Sequence, residues 1–330
     1  MSSLPADDQR ALDATDPGSA SRIPIPVASF VGREKELARI PRLLDDDQTR
    51  LLTLTGPGGV GKTRLALEVA RRVEADFADG SRYVRLATAR DPSEALPTVA
   101  HAVGATVHRD RSLMDTVVDA LRDRHVLLAL DNFEHLLAVP PRWLETILAR
   151  CPRITVLVTS RRPISIAGER VFTVSPMPVP DHEDLDVATR TASIALFSQR
   201  ASAIRSDFAV SAANIHDVIE ICRRVDGLPL AIELAAARIR VMPPREILHR
   251  LDDRLTLLAS RYRDVPQRHH SMHATIAWSH DLLADNEQRA FRELAVFSGG
   301  FRLPAAQRVL GLDDTSARET VNALVGASLL

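Results

Sequence analysis

Residues 51–63 read LLTLTGPGGVGKT, a short apolar run followed at once by a glycine-rich loop that ends in lysine and threonine. The run predicts a buried β-strand, and residues 64–77 have the pattern of a helix. Residues 56–63 fit the G-x-x-x-x-G-K-[ST] spacing of a phosphate-binding loop. Backbone N–H groups in such a loop converge on phosphate oxygens at the positive end of the helix dipole. The stretch therefore predicts a nucleotide-binding α/β domain.

Two side chains of the loop have chemistry of their own. Lys62 is placed to reach the outer phosphates, and the hydroxyl of Thr63 is a ligand for Mg²⁺. The predicted nucleotide-binding residues of the loop and helix start are Gly56, Gly58, Gly59, Val60, Gly61, Lys62, Thr63 and Arg64.

The composition restricts the class of protein. With 330 residues, 45% of them apolar, the chain can bury the cores of two or three domains. A formal net charge of −1 gives no overall basic field for nucleic acid. Cys151 and Cys222 are isolated, which argues against a disulfide or metal framework. No apolar run approaches the roughly 20 residues that cross a bilayer, and we expect a cytoplasmic protein.

Five apolar, partly β-branched runs predict the strands of a sheet, and helix-like segments separate the first four. Near-continuous apolar strands that alternate with helices favour a parallel sheet covered on both faces. We therefore expect an α/β, five-stranded P-loop domain over residues 23–175, after a disordered leader over residues 1–22. The five runs are residues 51–55, 83–87, 126–130, 154–159 and 171–174.

Prolines at positions 176, 178 and 180 mark a linker, after which helical patterns replace strand patterns. We expect the linker and a small helical domain over residues 176–262. A third unit follows over residues 263–330, and its apolar end at Leu329 and Leu330 has the look of a cut through a longer pattern.

Two further strand ends have polar groups with predicted functions. Asp131 ends an apolar run and is placed to hold Mg²⁺ through its water shell, although a capping aspartate is the alternative. Arg161 follows another run, at the sheet edge where ligands bind, and is placed to contact a γ-phosphate. Its neighbour Arg162 is the alternative, and the preference for Arg161 rests partly on the resemblance below.

Four motifs stand in a fixed order: VGRE at 31–34, the phosphate loop, LDN at 130–132 followed by TSR at 159–161, and GLPLA at 227–231. Together they resemble the NB-ARC group of STAND signal-transduction ATPases over residues 24–330, and in particular its actinobacterial regulators. The resemblance implies a sheet domain, a helical domain and a winged helix that close on ADP and open when ATP with Mg²⁺ replaces it.

The resemblance also assigns roles to residues outside the loop. Val31 is implied to lie against the adenine, Arg33 to support the closed form, and Pro229 to pack near the base and ribose. The nucleotide-site residues that it adds are Val31, Gly32, Arg33, Leu228 and Pro229. The stretch TIAWS at 275–279 resembles the winged helix.

The chain departs from the family pattern in two places. Asn132 stands where the family often has a second carboxylate, and an amide cannot act as a general base. Glu134 is a substitute base or simply a first-turn charge, so we expect slow hydrolysis. The family's Met-His-Asp motif would follow Leu330. The predicted catalytic residues are Lys62, Asp131, Glu134 and Arg161.

Two other features predict less. Four histidines lie close together but have no cysteine or carboxylate at ligand spacing, so we do not expect zinc. A modest basic segment is expected to be a solvated linker rather than a DNA contact. The histidines are His269, His270, His273 and His280, and the basic residues are Arg261, Arg263 and Arg268.

The sequence thus favours a nucleotide-operated signalling switch that self-associates in the ATP state or releases an effector outside this chain. The alternative is an AAA+-like remodelling ATPase that acts on DNA or protein. It requires an arginine finger and a lid arginine, which the sequence does not identify. A third interpretation is the regulatory half of a transcription factor.

Overall fold

The computed structural model describes residues 23–46, 48–89, 91–106, 110–137, 139–251, 280, 283–297, 300–326 and 329–330. Three predictions therefore lie outside the described residues: the leader at 1–22, the winged-helix stretch at 275–279 and most of the histidine and arginine clusters. The cluster residues concerned are Arg261, Arg263, Arg268, His269, His270 and His273.

The first unit alternates strands with helices, as the sequence predicts. Each observed strand begins and ends within two residues of the predicted run. Its elements are α1 (Glu34–Leu44), β1 (Leu51–Thr55), α2 (Lys62–Arg72), β2 (Ser81–Arg85), α3 (Ala95–Ala102), α4 (Leu113–Leu121), β3 (Leu127–Asp131), α5 (Arg142–Arg150), β4 (Thr155–Thr159) and β5 (Glu169–Thr173).

The five strands form one sheet in the order β2-β3-β4-β1-β5, and every neighbouring pair is parallel. This confirms the predicted parallel five-stranded sheet. Strand β4 lies between β1 and β3, with Leu52 opposite Leu157 and Leu157 opposite Ala129. Because all strands run the same way, the phosphate loop after β1 and the polar residues after β3 and β4 share one edge.

Alternation along the strands explains the two layers of helix. Leu127 and Ala129 pack in the cluster that includes α1 and α2, whereas Leu128 and Leu130 pack in the cluster of α3, α4 and α5. Burying each such leucine stabilises the fold by roughly 1.5–3 kcal/mol. Strands β1 and β3 are buried at every residue, which fits a central position between two helical layers.

A helical unit follows the linker and has its own apolar core, which includes Ile194, Phe197 and Ile219. The Gly-Leu-Pro turn before its fourth helix fits closely against the linker. Gly227 has φ +63°, and a Cβ there would lie 2.2 Å from the carbonyl oxygen of Met177. The position therefore requires glycine. The helices are α6 (Leu185–Thr189), α7 (Ala192–Ile204), α8 (Ile215–Arg224), α9 (Pro229–Ala236) and α10 (Pro244–Arg250).

The last described part contains α11 (Asp285–Leu294), α12 (Leu303–Leu310) and α13 (Asp314–Gly326) around a small apolar core. Within residues 283–297, 300–326 and 329–330 no strand occurs. The winged helix and the domain boundary at 262/263 therefore stay predictions. Among the described helices, none is long and apolar enough to cross a membrane.

Candidate functional site

A cavity of about 380 Å³ lies at the carboxyl edge of the sheet and is lined by both the α/β unit and the helical unit. Most of the predicted site residues meet there. Gly32, Gly56 and Leu228 lie outside the lining. The predicted residues that line it are Val31, Arg33, Gly58, Gly59, Val60, Gly61, Lys62, Thr63, Arg64, Asp131, Glu134, Arg161 and Pro229.

The phosphate loop curls tightly between β1 and α2, as its glycines predict. Gly59 and Gly61 have φ of +80° and +94°, values that a residue with a Cβ rarely adopts. Lys62 folds back over the loop, and its Nζ donates to the carbonyl oxygens of Gly56 at 2.6 Å and Pro57 at 3.0 Å. Helix α2 begins at Lys62, so its positive end lies at the cavity.

Asp131 stands at the end of β3, is 3% exposed and accepts three hydrogen bonds from side chains. The hydroxyls of Thr63 and Thr159 donate to Oδ1, each at 2.6 Å, and the Tyr83 hydroxyl donates to Oδ2 at 2.9 Å. A carboxylate in contact with the loop threonine is the oxygen donor set that Mg²⁺ prefers. The predicted magnesium residues, Thr63 and Asp131, thus lie together and fit the ion.

Asn132 adopts a left-handed backbone conformation with φ +66°, which asparagine tolerates better than most residues. Its backbone N–H donates to Thr159 Oγ1 at 2.9 Å. Its side-chain nitrogen lies 3.2 Å from His135 Nδ1, while His135 Nε2 lies 3.0 Å from the Ala89 carbonyl oxygen. Since a carbonyl only accepts, His135 donates through Nε2 to Ala89.

Glu134 and Arg161 form a buried ion pair, with Arg161 Nε donating to Glu134 Oε1 at 3.1 Å and both side chains 7% exposed. An exposed first-turn charge, the simpler interpretation of Glu134, is therefore wrong. The one-turn helix Glu134–Leu136 after β3 places the carboxylate inside the cavity. In this structure the candidate base is engaged by the candidate phosphate-sensing arginine.

Arg33 joins three parts of the α/β unit. Its guanidinium donates to the carbonyl oxygen of Ser175 after β5 at 2.7 Å, to that of Val60 in the phosphate loop at 2.9 Å, and to Glu36 Oε1 at 2.7 Å. The adjacent Gly32 lies against Ala192 of the helical unit. The VGRE motif therefore holds the loop in place and touches the second unit.

Helix α9 of the helical unit contacts the phosphate loop directly. The backbone N–H of Leu230 donates to the Gly59 carbonyl oxygen at 3.1 Å. A Cβ on Gly59 would lie 3.0 Å from Leu230 Cβ, so the two backbones approach closely. Pro229 occupies the first turn of α9, where its fixed φ suits a helix start. The GLPLA motif thus places the helical unit on the loop.

Sequence reasoning missed several lining residues, namely Phe30, Tyr83, Arg85, Met177, Leu196, Arg200 and Glu233. Tyr83 meets Asp131 because β2 pairs with β3, a register that no local motif encodes. Arg200 and Glu233 come from different helices. Among the described lining residues, six are lysine or arginine and three are carboxylates. The resulting excess of positive charge suits an anionic ligand.

The strand order, the loop and the strand-end carboxylate together define a P-loop nucleotide-binding protein. In agreement, residues 45–167 match the family model of an AAA domain. The chain is 42% identical over 288 residues to the uncharacterized protein Rv0894 of Mycobacterium tuberculosis. The alignment covers 87% of this chain and 70% of that protein. The chain therefore belongs to the same family as Rv0894.

Regulators also occur among the relatives. Rv0890c of M. tuberculosis, whose name assigns it to the HTH-type transcriptional regulators, is 42% identical over 86% of this chain and 31% of its own length. The regulatory protein AfsR of Streptomyces griseus is 29% identical over 99% of this chain and 33% of its own length. The predicted kinship with actinobacterial P-loop regulators is confirmed.

One solved structure that aligns with the chain belongs to a STAND protein. The crystal structure of a STAND protein with a tetratricopeptide repeat sensor, PH0952 from Pyrococcus horikoshii, aligns with a TM-score of 0.41 and 12% identity. The alignment covers 92% of this chain and 40% of that chain. That likeness is too distant to carry a functional argument.

Proposed function

We propose that the chain is a nucleotide-operated switch of the NB-ARC type, which ADP holds closed and ATP with Mg²⁺ opens. The observation that carries the proposal is the contact of α9 with the phosphate loop, through Leu230 N–H and the Gly59 carbonyl. Any ligand that changes the loop therefore acts on the helical unit as well. Pro229, Leu230 and Glu233 extend that contact along the cavity wall.

A switch requires that the two nucleotides differ in their affinity for the two forms. The buried pair of Arg161 and Glu134 supplies a physical reason for such a difference. A γ-phosphate is a second anion for Arg161, and it competes with Glu134 for the same guanidinium. ADP lacks that phosphate and leaves the pair intact. Each tenfold difference in affinity corresponds to about 1.4 kcal/mol.

Slow hydrolysis is part of the proposal. Asn132 has no proton-accepting carboxylate, and Glu134 is held by Arg161. When Mg²⁺ is bound, Thr63 and Asp131 would hold it and it would offset the charge of the outer phosphates. Binding energy rather than turnover then sets the state of the switch.

The output belongs to segments other than the nucleotide site. The chain corresponds to about a third of the length of AfsR and of Rv0890c, two relatives whose names describe regulators. On that basis the switch regulates transcription through self-association in the ATP state or through an effector outside this chain. DNA contact by this segment is not part of the proposal.

The test is to purify the full chain, denature it and identify the nucleotide that it releases. The expected result is stoichiometric ADP with negligible turnover, and loss of bound nucleotide in Lys62→Ala. The chain contains one other lysine, Lys35, which is exposed on α1, so Lys35→Ala is a matched control that should keep its nucleotide. Fast turnover stimulated by DNA would favour the AAA+-like remodelling ATPase instead.

A further inference from the structure

Two arginines from different units meet at one wall of the cavity. Arg64 of α2 donates to the carbonyl oxygen of Ala28, and Arg200 of α7 donates to that of Ser29 at 3.1 Å. The two guanidiniums are therefore held on successive carbonyls of the segment that precedes α1. Both side chains line the cavity.

The charges at this wall are not balanced. The cavity lining includes Glu233 of α9, which forms an ion pair with Arg200. Glu233 Oε1 lies 2.9 Å from Arg200 Nε. Glu68 is also near Arg64 but lies outside the lining and pairs with Arg72 at 3.2 Å. Burial lowers the pKa of Arg64, and the positive charge of Arg200 lowers it further. Two cations thus face the cavity with one lining carboxylate between them.

The position of Arg64 indicates which anion completes the arrangement. Arg64 lies in the first turn of α2, directly after Lys62 and Thr63, the residues predicted for the outer phosphates, and it lines the same cavity as they do. The phosphate beyond the outer ones is the one attached to the ribose. A phosphate accepts from two guanidiniums at once and offsets the repulsion between them.

We propose that Arg64 and Arg200 bind one shared anion, the phosphate nearest the ribose, and that this anion joins the helical unit to the P-loop unit. The proposal rests on the proposed function, because it names the contact through which the nucleotide closes the two units. Glu233 is then a competitor: it holds Arg200 when no nucleotide is bound, and the phosphate takes its place.

Titration calorimetry on the nucleotide-free full chain tests the proposal with ADP and with AMP, the latter by displacement of ADP. Arg64→Gln and Arg200→Gln should each weaken both ligands about tenfold or more, the loss expected for a charge-assisted hydrogen bond. The double variant should lose less than the product of the two factors, because the arginines share one phosphate. Arg245→Gln on α10, exposed and outside the cavity lining, is the matched control and should bind like wild type.

The direction in which Glu233→Gln changes the affinity for ADP decides between the proposal and its alternatives. As a competitor, Glu233 should weaken binding, so its removal tightens ADP several-fold. If Glu233 only braces the wall or binds the ribose hydroxyls, the same change weakens ADP, and the proposal is overturned. Loss of ADP affinity without loss of AMP affinity, or no AMP binding by wild type at millimolar concentration, overturns it as well.

The two proposals fail in different ways. If wild type binds ADP, Lys62→Ala does not, and Arg200→Gln matches Arg245→Gln, the shared-phosphate proposal fails alone. If wild type and Lys62→Ala bind ADP equally poorly, the nucleotide switch itself fails. Melting temperatures of the nucleotide-free variants identify any variant that is simply misfolded.

Discussion

Replacing Glu134 with alanine should leave the guanidinium of Arg161 buried without the Glu134 carboxylate that it contacts. Both side chains are 7% exposed, so solvent does little to screen the lost interaction. Breaking a buried ion pair by removing one partner costs about 3–5 kcal/mol. For a unit of this size, each kcal/mol lowers the melting temperature by about 2–4 °C. The expected decrease is therefore about 6–20 °C.

Calorimetric melting of the nucleotide-free full chain measures this decrease, and two variants control it. Glu246→Ala removes the glutamate of another glutamate–arginine pair, which lies exposed on α10 with Arg250 as the partner. It should change the free energy of unfolding by less than about 0.5 kcal/mol. Glu134→Ala combined with Arg161→Met removes the buried guanidinium as well. This double variant should be more stable than Glu134→Ala alone.

The melting temperature of Glu134→Ala can also be measured with bound nucleotide. The γ-phosphate supplies an anion to Arg161 where Glu134 is missing, so ATP with Mg²⁺ should raise the melting temperature of Glu134→Ala more than ADP does. A melting temperature of Glu134→Ala within about 2 °C of wild type, a shift worth no more than about 1 kcal/mol, would show that the Glu134–Arg161 pair does not stabilise the fold. A double variant that melts at a lower temperature than Glu134→Ala alone would contradict the same explanation.

Three further predictions concern other groups. Asp131→Asn should weaken Mg²⁺-dependent ATP binding by about 10–100-fold, measured by titration with and without the ion, while ADP binding without Mg²⁺ changes little. Tyr83→Phe removes one donor to Asp131, and in the same titration it should weaken Mg²⁺ by up to about tenfold. Burial raises the pKa of the Cys222 thiol from 9.0 to about 12, so the unfolded state ionises first. The free energy of unfolding should therefore fall between about pH 9 and 12, by up to about 1.4 kcal/mol per pH unit. Cys222→Ala should remove that part of the decrease in denaturant titrations.

Much of the α/β unit could be predicted from the sequence because its signals are local. The run at 51–55 and the loop after it identify a strand, a turn and a helix start within thirteen residues, and the structure agrees. The run at 126–130 was displaced by one residue from β3, which ends on Asp131 itself. Parallel strands then bring Thr63 and Asp131 to one edge without further information.

The missed features depend on distant pairings. Tyr83 contacts Asp131 only because of the register between β2 and β3, and Arg200 meets Glu233 only because α7 packs on α9. Sequence reasoning left Glu134 open between a substitute base and a first-turn charge, because nothing near it in sequence indicates a buried arginine partner. Tertiary packing decides these contacts, so neither periodicity nor motif spacing predicts them.

If ADP holds the helical unit on the phosphate loop, the amide hydrogen exchange of α9 depends on the bound nucleotide. The Leu230 N–H donates to Gly59, so its exchange reports whether α9 is docked. ADP should protect the amides of residues 230–236 in wild type but not in Lys62→Ala, and ATP with Mg²⁺ should reverse the protection. Equal protection of these amides with ADP, with ATP and Mg²⁺, and without nucleotide would contradict it.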